Sequence, residues 1–165
     1  MVTGSIPVLV HNCGVTGAAA DPDVDVSRVT PQNYVAKTDS DPVFRADNRG
    51  SGEIFPDGFQ PKDVNGNADL QTHVDESPDG MFVSASRSTD GAIGNWVHEI
   101  RPPAGAGIDL NATAEQFGEI EPNWGEGEVV FPGGIDTQYI RSVQQYDDFE
   151  NPIGDPVMNP YYTGE

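Results

Sequence analysis

The chain has 165 residues, enough for one domain with a sizeable core and too few for two, and its 27 acidic against 8 basic side chains give a formal charge of −19. So negative a surface repels phosphate backbones and anionic lipid, which argues against nucleic-acid and membrane partners and leaves a basic partner or a saline habitat. A single cysteine and three scattered histidines exclude an internal disulfide and offer no metal-ligand spacing, and no apolar run reaches the ~20 residues of a membrane span.

The N-terminus lacks the basic region and the length of a secretory signal. Residues 1–13 end Pro7-Val8-Leu9-Val10-His11-Asn12-Cys13. An Asn side-chain amide can attack its own carbonyl while a neighbouring His polarises the peptide. The motif resembles the end of an intein-like (Hint) processing module of the pre-toxin type; an unstructured tail is the alternative. The rest of such a module is missing, so no cleavage activity is expected at Asn12-Cys13. Residues 14–40 mix small residues, glycine and acids and read as a linker. Within it, Thr30 as N-cap and Pro31 at the first helical position predict a short helix to about Lys37. The globular domain is expected over 41–147, with an acidic, proline-rich tail over 148–165.

Val43 to Ala46 suits a strand with Phe44 inward, which sets Arg45 on the opposite face, where an arginine is normally solvated. Residues 50–61 form a Gly- and Pro-containing loop with a helical turn near Ile54-Phe55. Asp63-Val64-Asn65-Gly66-Asn67 imitates the start of a calcium loop, but its glycine is misplaced and its twelfth position is Val74. Asn67 to Val74 predicts a helix with Leu70 and Val74 on its buried side, and His73 near that edge reads as a satisfied core histidine. Residues 80–86 form a strand placing Met81 and Val83 on one face and Phe82, Ser84 and Ser86 on the other. Residues 95–101 form another, ended by Pro102-Pro103. A short helix is expected over 110–117, then a loop exposing Trp124. A strand over 127–131, a Pro-Gly-Gly turn and a last strand over 138–144 follow. No Gly-x-Gly-x-x-Gly follows a strand, so a dinucleotide fold of the Rossmann type is not indicated.

Glu126 and Glu128 stand at the mouth of the strand over 127–131. Side chains two apart on a strand share a face, with Cα atoms ~6.5–7 Å apart. Like charges that close raise the pKa of one partner, and such a pair can divide labour at a reacting centre. In a chain this acidic the pair also reads as a solvated face, and Glu119-Ile120-Glu121 repeats the pattern just upstream.

Three stretches in this order carry a resemblance. Phe44-Arg45-Ala46-Asp47-Asn48-Arg49 resembles the Arg-x-Asp-x-Arg opening of cholera toxin, heat-labile enterotoxin and the pertussis toxin catalytic chain. Phe82-Val83-Ser84-Ala85-Ser86 is similar to their Val-Ser-Thr-Ser strand. Glu126-Gly127-Glu128-Val129, with Gly133-Gly134-Ile135 behind it, is similar to their Glu-x-Glu element and its continuation. Ala85 in place of threonine and Gly50 in place of proline depart from the pattern. These toxins are mono-ADP-ribosyltransferases of the Arg–Ser–Glu class. The resemblance implies an α+β ADP-ribosyltransferase fold: two packed small antiparallel or mixed sheets, with few short helices, around an NAD cleft.

It also implies roles. Arg45, with Ala46 and Asp47 beside it, is expected to meet the phosphate or ribose of NAD, and Ser84 to hold Glu128. Ser86 is expected to line the nicotinamide pocket, and His73 to lie near NAD. Glu128 is expected to bond the ribose hydroxyls and stabilise the oxocarbenium-like state. Glu126 is expected to face the acceptor: an arginine guanidinium attacks poorly unless a carboxylate orients it and takes a proton, whereas Gln at that position goes with other acceptors. The loop from Glu115 to Gly125, with Phe117 and Trp124, is expected to meet the target. The expected activity is transfer of ADP-ribose from NAD to an arginine of a target protein, by a toxin delivered as part of a larger protein and held by a cognate immunity protein, with no metal. The alternatives are NAD hydrolysis, guanine modification, or a non-enzymatic acidic binding domain.

Overall fold

The computed structural model describes residues 17–90 and 95–164. The processing motif over residues 1–13 lies outside the described residues. Seven strands form one antiparallel sheet in the order β4-β5-β2-β1-β3-β6-β7. They are β1 (Val43–Asp47), β2 (Phe82–Ser86), β3 (Trp96–Ile100), β4 (Ile108–Asp109), β5 (Glu128–Pro132), β6 (Ile140–Tyr146) and β7 (Pro152–Met158). Among the described residues, the α-helices α1 (Ser51–Ile54), α2 (Leu70–Glu76) and α3 (Leu110–Phe117), with two short 3-10 turns, complete the α+β fold.

Both faces of the β2–β5 half are covered, so alternation sends neighbouring residues into different cores. Val83, Ala85, Val129 and Phe131 join Ile54, Phe55, Phe59 and Ile135 on one face. Phe82 and Val130 join Leu70, Met81, Ile108 and Leu110 on the other. That is why Val129-Val130-Phe131 reads as an unbroken apolar run. The two small sheets expected from the sequence are the two halves of this one sheet. β1 pairs with β3 from Val43↔Ile100 to Asp47↔Trp96, and β2 with β5 from Phe82↔Pro132 to Ser86↔Glu128. Between the halves, β1 and β2 register only at Phe44↔Ser86.

The segment before β1 contains no helix at 30–37. Thr30 bridges Asp69 and Ala36 bridges Ile108, while Val29 and Lys37 are fully buried. The local reason is Asp69, whose carboxylate takes the Thr30 hydroxyl at 2.8 Å and caps α2 at the Thr72 amide, also at 2.8 Å. Thr30 is thereby drawn into another helix's cap and starts none of its own. Arg28 pins the same strap by donating to the carbonyls of Val64, Asn65 and Gly66 at 3.0, 2.7 and 2.7 Å. A guanidinium therefore fills the loop that imitates a calcium site, and no metal-binding group of His, Cys, Asp and Glu forms among the described residues. Buried Lys37 is balanced by Asp39 at 2.7 Å, and Asp39 in turn holds Arg87 at 2.8 Å. Residues 148–165, set apart above as a tail, contribute β7, which pairs along β6.

Candidate active site

Where the two halves of the sheet part, a cleft of about 300 Å³ opens. Arg45 and Ala46 line it from β1, Ser84 and Ser86 from β2, and Glu126 and Glu128 from the entry to β5. The sequence separates these groups widely; the seam brings them to one place.

Glu128 is the first residue of β5 and stands opposite Ser86. Its side chain is 15% exposed, and Oε1 lies 3.5 Å from His73 Nε2. The same ring nitrogen shares a 2.8 Å hydrogen bond with the Ser84 hydroxyl. Burial opposes ionisation of Glu128, but His73, Ser84 and the charge of Arg45 outweigh it and hold the carboxyl below its ordinary value. At neutral pH the cleft therefore contains a shielded carboxylate. α2 delivers His73 to it, fixed by the Asp69 cap at one end and by left-handed Ser77 (φ 46°) at the other. The core reading of His73 holds for its burial and for its edge-on contact with Phe82 at 5.2 Å. Its polar edge nonetheless meets Ser84 and Glu128, two residues that line the cleft.

Arg45 is not the solvated strand arginine that alternation suggests. Its side chain is 28% exposed and crosses the seam, where Nη1 donates to the Ser84 carbonyl at 2.6 Å. Burial pulls its pKa below the ordinary value, with Asp47 and Glu128 acting the other way and Arg49 adding to the fall. A guanidinium starts so high that it stays a cation. Ala46 lines the cleft, whereas Asp47 is not among its lining residues. The Asp47 carboxylate takes Arg49 Nη2 at 2.8 Å and lies 3.8 Å from Arg45 Nε. Burial works against its ionisation, but Arg49 and then Arg45 lower its pKa to about 2.

The acid pair is built differently from the strand expected. β5 begins at Glu128, and Gly127 has φ +57°, so a turn rather than strand alternation aims both carboxylates at the cleft. A Cβ on Gly127 would come within 3.2 Å of the Arg87 Cβ, and the Arg87 amide donates to the Gly127 carbonyl at 3.1 Å. Glu126 is exposed and accepts from Asn123 Nδ2 at 2.6 Å. Ser86 lines the cleft and donates its hydroxyl to the Glu126 carbonyl, bracing the same turn. The loop before it is tied down by Gln71, whose Oε1 accepts the Glu121 amide at 2.7 Å, and by Asn111, which donates to the Trp124 carbonyl at 3.2 Å. The Trp124 side chain is left 55% exposed.

Sequence reasoning missed two side chains beside the site, Phe59 and His98. Phe59 was hidden in a loop, although a large aromatic directly after a glycine in a Gly- and Pro-containing stretch was the available signal. His98 faces Arg45 across the β1–β3 pairing, is fully buried, and shares a 3.3 Å hydrogen bond with the Arg45 carbonyl through Nδ1.

Comparison with known proteins follows the same outline. A family described as Scabin-like matches residues 43–162. A guanine-specific ADP-ribosyl transferase of Streptomyces coelicolor is 35% identical over 153 residues, covering 89% of this chain and 72% of the relative. A solved guanine-specific ADP-ribosyltransferase with NADH and GDP superposes with a TM-score of 0.81 at 32% identity, covering 94% of this chain and 97% of that one. The Scabin toxin from Streptomyces scabies in complex with NADH also gives 0.81, at 30% identity, covering 98% and 99%. The specificity in these names is for guanine. It overturns the expected acceptor arginine on a target protein and the expected exclusion of nucleic acid. Two acids at one cleft can take a proton from either kind of nitrogen, so the Glu-x-Glu spacing could not choose between them. A net charge describes the whole surface and is silent on whether one base fits a cleft.

Proposed function

The chain belongs to the Scabin-like family, and from that premise we propose that it cleaves NAD and transfers the ADP-ribose to a guanine base. The observation that carries this reading is the meeting of Arg45, Ser84 and Glu128 in one cleft. Arg45 offers guanidinium donors that suit a phosphate or ribose oxygen of NAD. Glu128, held ionised by its neighbours, accepts from the ribose hydroxyls beside nicotinamide. Its charge stabilises the positive ribose as the C–N bond breaks and the electron pair leaves with nicotinamide. Ser84 and His73 fix that carboxylate, and Ser86 holds the turn that carries Glu126.

A guanine nitrogen then bonds to the ribose carbon and must lose a proton. Glu126, exposed at the same mouth, is placed to accept it. The exposed indole of Trp124, on the loop leading to Glu126, gives the base a flat apolar face on which to stack. A role as a toxin delivered to another cell is supported by the toxin among the relatives.

The test is incubation with labelled NAD and guanosine, with an arginine analogue such as agmatine, or with buffer alone. Labelled guanosine is the expected product. Label on agmatine but not guanosine would reverse the acceptor assignment, and free ADP-ribose in every tube would leave an NAD hydrolase.

A further inference from the structure

Phe59 is only 1% exposed, yet one of its neighbours is the cation of the cleft. The Arg45 guanidinium carbon sits 5.1 Å from the ring centroid and that of Arg49 6.0 Å. His98 packs edge-on against the same ring, with centroids 5.0 Å apart and planes at 85°. Burial keeps that imidazole neutral at physiological pH, with its pKa down to about 4, so the ring is not shared with a third cation.

The ring is held by backbone. Phe59 and Ile135 exchange two amide-to-carbonyl bonds, each 2.8 Å. Glycines make the approach possible: a Cβ on Gly58 would lie 2.2 Å from the Ile135 carbonyl, and one on Gly134 would lie 2.2 Å from the Phe59 carbonyl. The Gly-Gly-Ile turn that follows the acid motif thus clamps an aromatic ring beside the arginine of a distant motif. Arg45 has little else to orient it. Apart from the bond to the Ser84 carbonyl, its Nε is buried without a hydrogen-bond partner, and Asp47 stands 3.8 Å away.

We propose that Phe59 is a positioning residue for ADP-ribosyl transfer: its ring holds the Arg45 guanidinium, by cation–π attraction, in the orientation that engages NAD. This rests on the reading of Arg45 as an NAD-binding group given above.

Steady-state NAD cleavage by the full chain tests it. Phe59→Leu keeps an apolar side chain of similar bulk and removes the π face, which is expected to raise KM for NAD roughly 2- to 30-fold. An arginine that grips NAD equally before and during bond breaking leaves kcat within about twofold. Ile54→Val trims the same core cluster and is expected to leave KM unchanged. The decisive measurement is Phe59→Leu in an Arg45→Gln background, where no further rise in KM is expected. The same KM factor in both backgrounds overturns the proposal, as does a fall in kcat at constant KM. If Phe59→Leu gives no cooperative melt, Phe59→Met carries the same comparison. A wild-type chain that cleaves no NAD sinks both this and the transferase reading; an active wild type with an additive cycle sinks the Phe59 assignment alone.

Discussion

His98 makes the stability of this protein depend on pH between about 4 and 6.5. The imidazole is fully buried in β3, and burial lowers its pKa from 6.5 to about 4; the weaker attractions of the Arg45 carbonyl and Asp47 do not restore it. The unfolded chain therefore binds the proton more readily than the folded one. Stability from the neutral ring is complete above pH 6.5 and is lost as pH falls toward 4. Integrated from pH 7 to pH 5, the loss is about 2 kcal/mol, equivalent to about 4–8 °C in Tm for a domain of this size. Asp47, with its pKa lowered to about 2, contributes stability that persists down to the ordinary carboxylate range and is lost only below it. It does not intrude. His98→Leu removes the titrating nitrogens, and the cost of its lost bond to Arg45 is the same at both pH values. Thermal melts of both proteins at pH 7 and pH 5 isolate the effect. The variant is expected to lose about 2 kcal/mol less than wild type between the two. Parallel losses would show that His98 does not titrate in this window and would refute the argument.

Three further outcomes can be measured with simple variants. Glu128→Gln keeps the shape of the side chain and removes the charge, so NAD cleavage is expected to fall roughly 10²- to 10³-fold with an unchanged circular dichroism spectrum. Trp124→Ala is expected to raise KM for guanosine roughly 5- to 150-fold, as the loss of one stacked base implies, with a smaller change in NAD hydrolysis by water. Gly134→Ala adds a Cβ where φ is +91° and the Phe59 carbonyl is in the way, and urea unfolding is expected to show a loss of about 2–4 kcal/mol.

Strands with one clear alternation were legible in the sequence. Val43–Asp47, Phe82–Ser86, Trp96–Ile100, α2 and α3 lie close to the spans expected, but the facing differs. Val43 enters the core while Phe44, expected inward, is part-buried and lines the cleft, and Met81 packs with Phe82 instead of Val83. Arg45, Ser84 and Glu128 could be picked out because their flanking residues form recognisable motifs. β7 was not visible: Pro152, Gly154 and Pro156 are residues that strands avoid, and they are tolerated here because β7 is an edge. The strap before β1 looked like linker because its few apolar and basic residues are spaced for partners elsewhere in the chain. Val29, Arg28 and Lys37 each find one only after folding. Phe59 was out of reach for the same reason, since its meaning comes from Ile135 and Arg45. The acceptor was misread because a pair of carboxylates can take a proton from many kinds of donor and so does not specify the molecule that gives it up.

The single register at Phe44↔Ser86 has a consequence for how the protein comes into being. Each half of the sheet combines early strands with late ones: β2 with β4 and β5 on one side, β1 and β3 with β6 and β7 on the other. A nascent chain that has reached Pro132 already contains the arginine, the serine and both glutamates. It still lacks β6, the strand that flanks β3 and through it steadies β1. A cell synthesising the protein thus meets the finished geometry of the cleft only after β6 has been made.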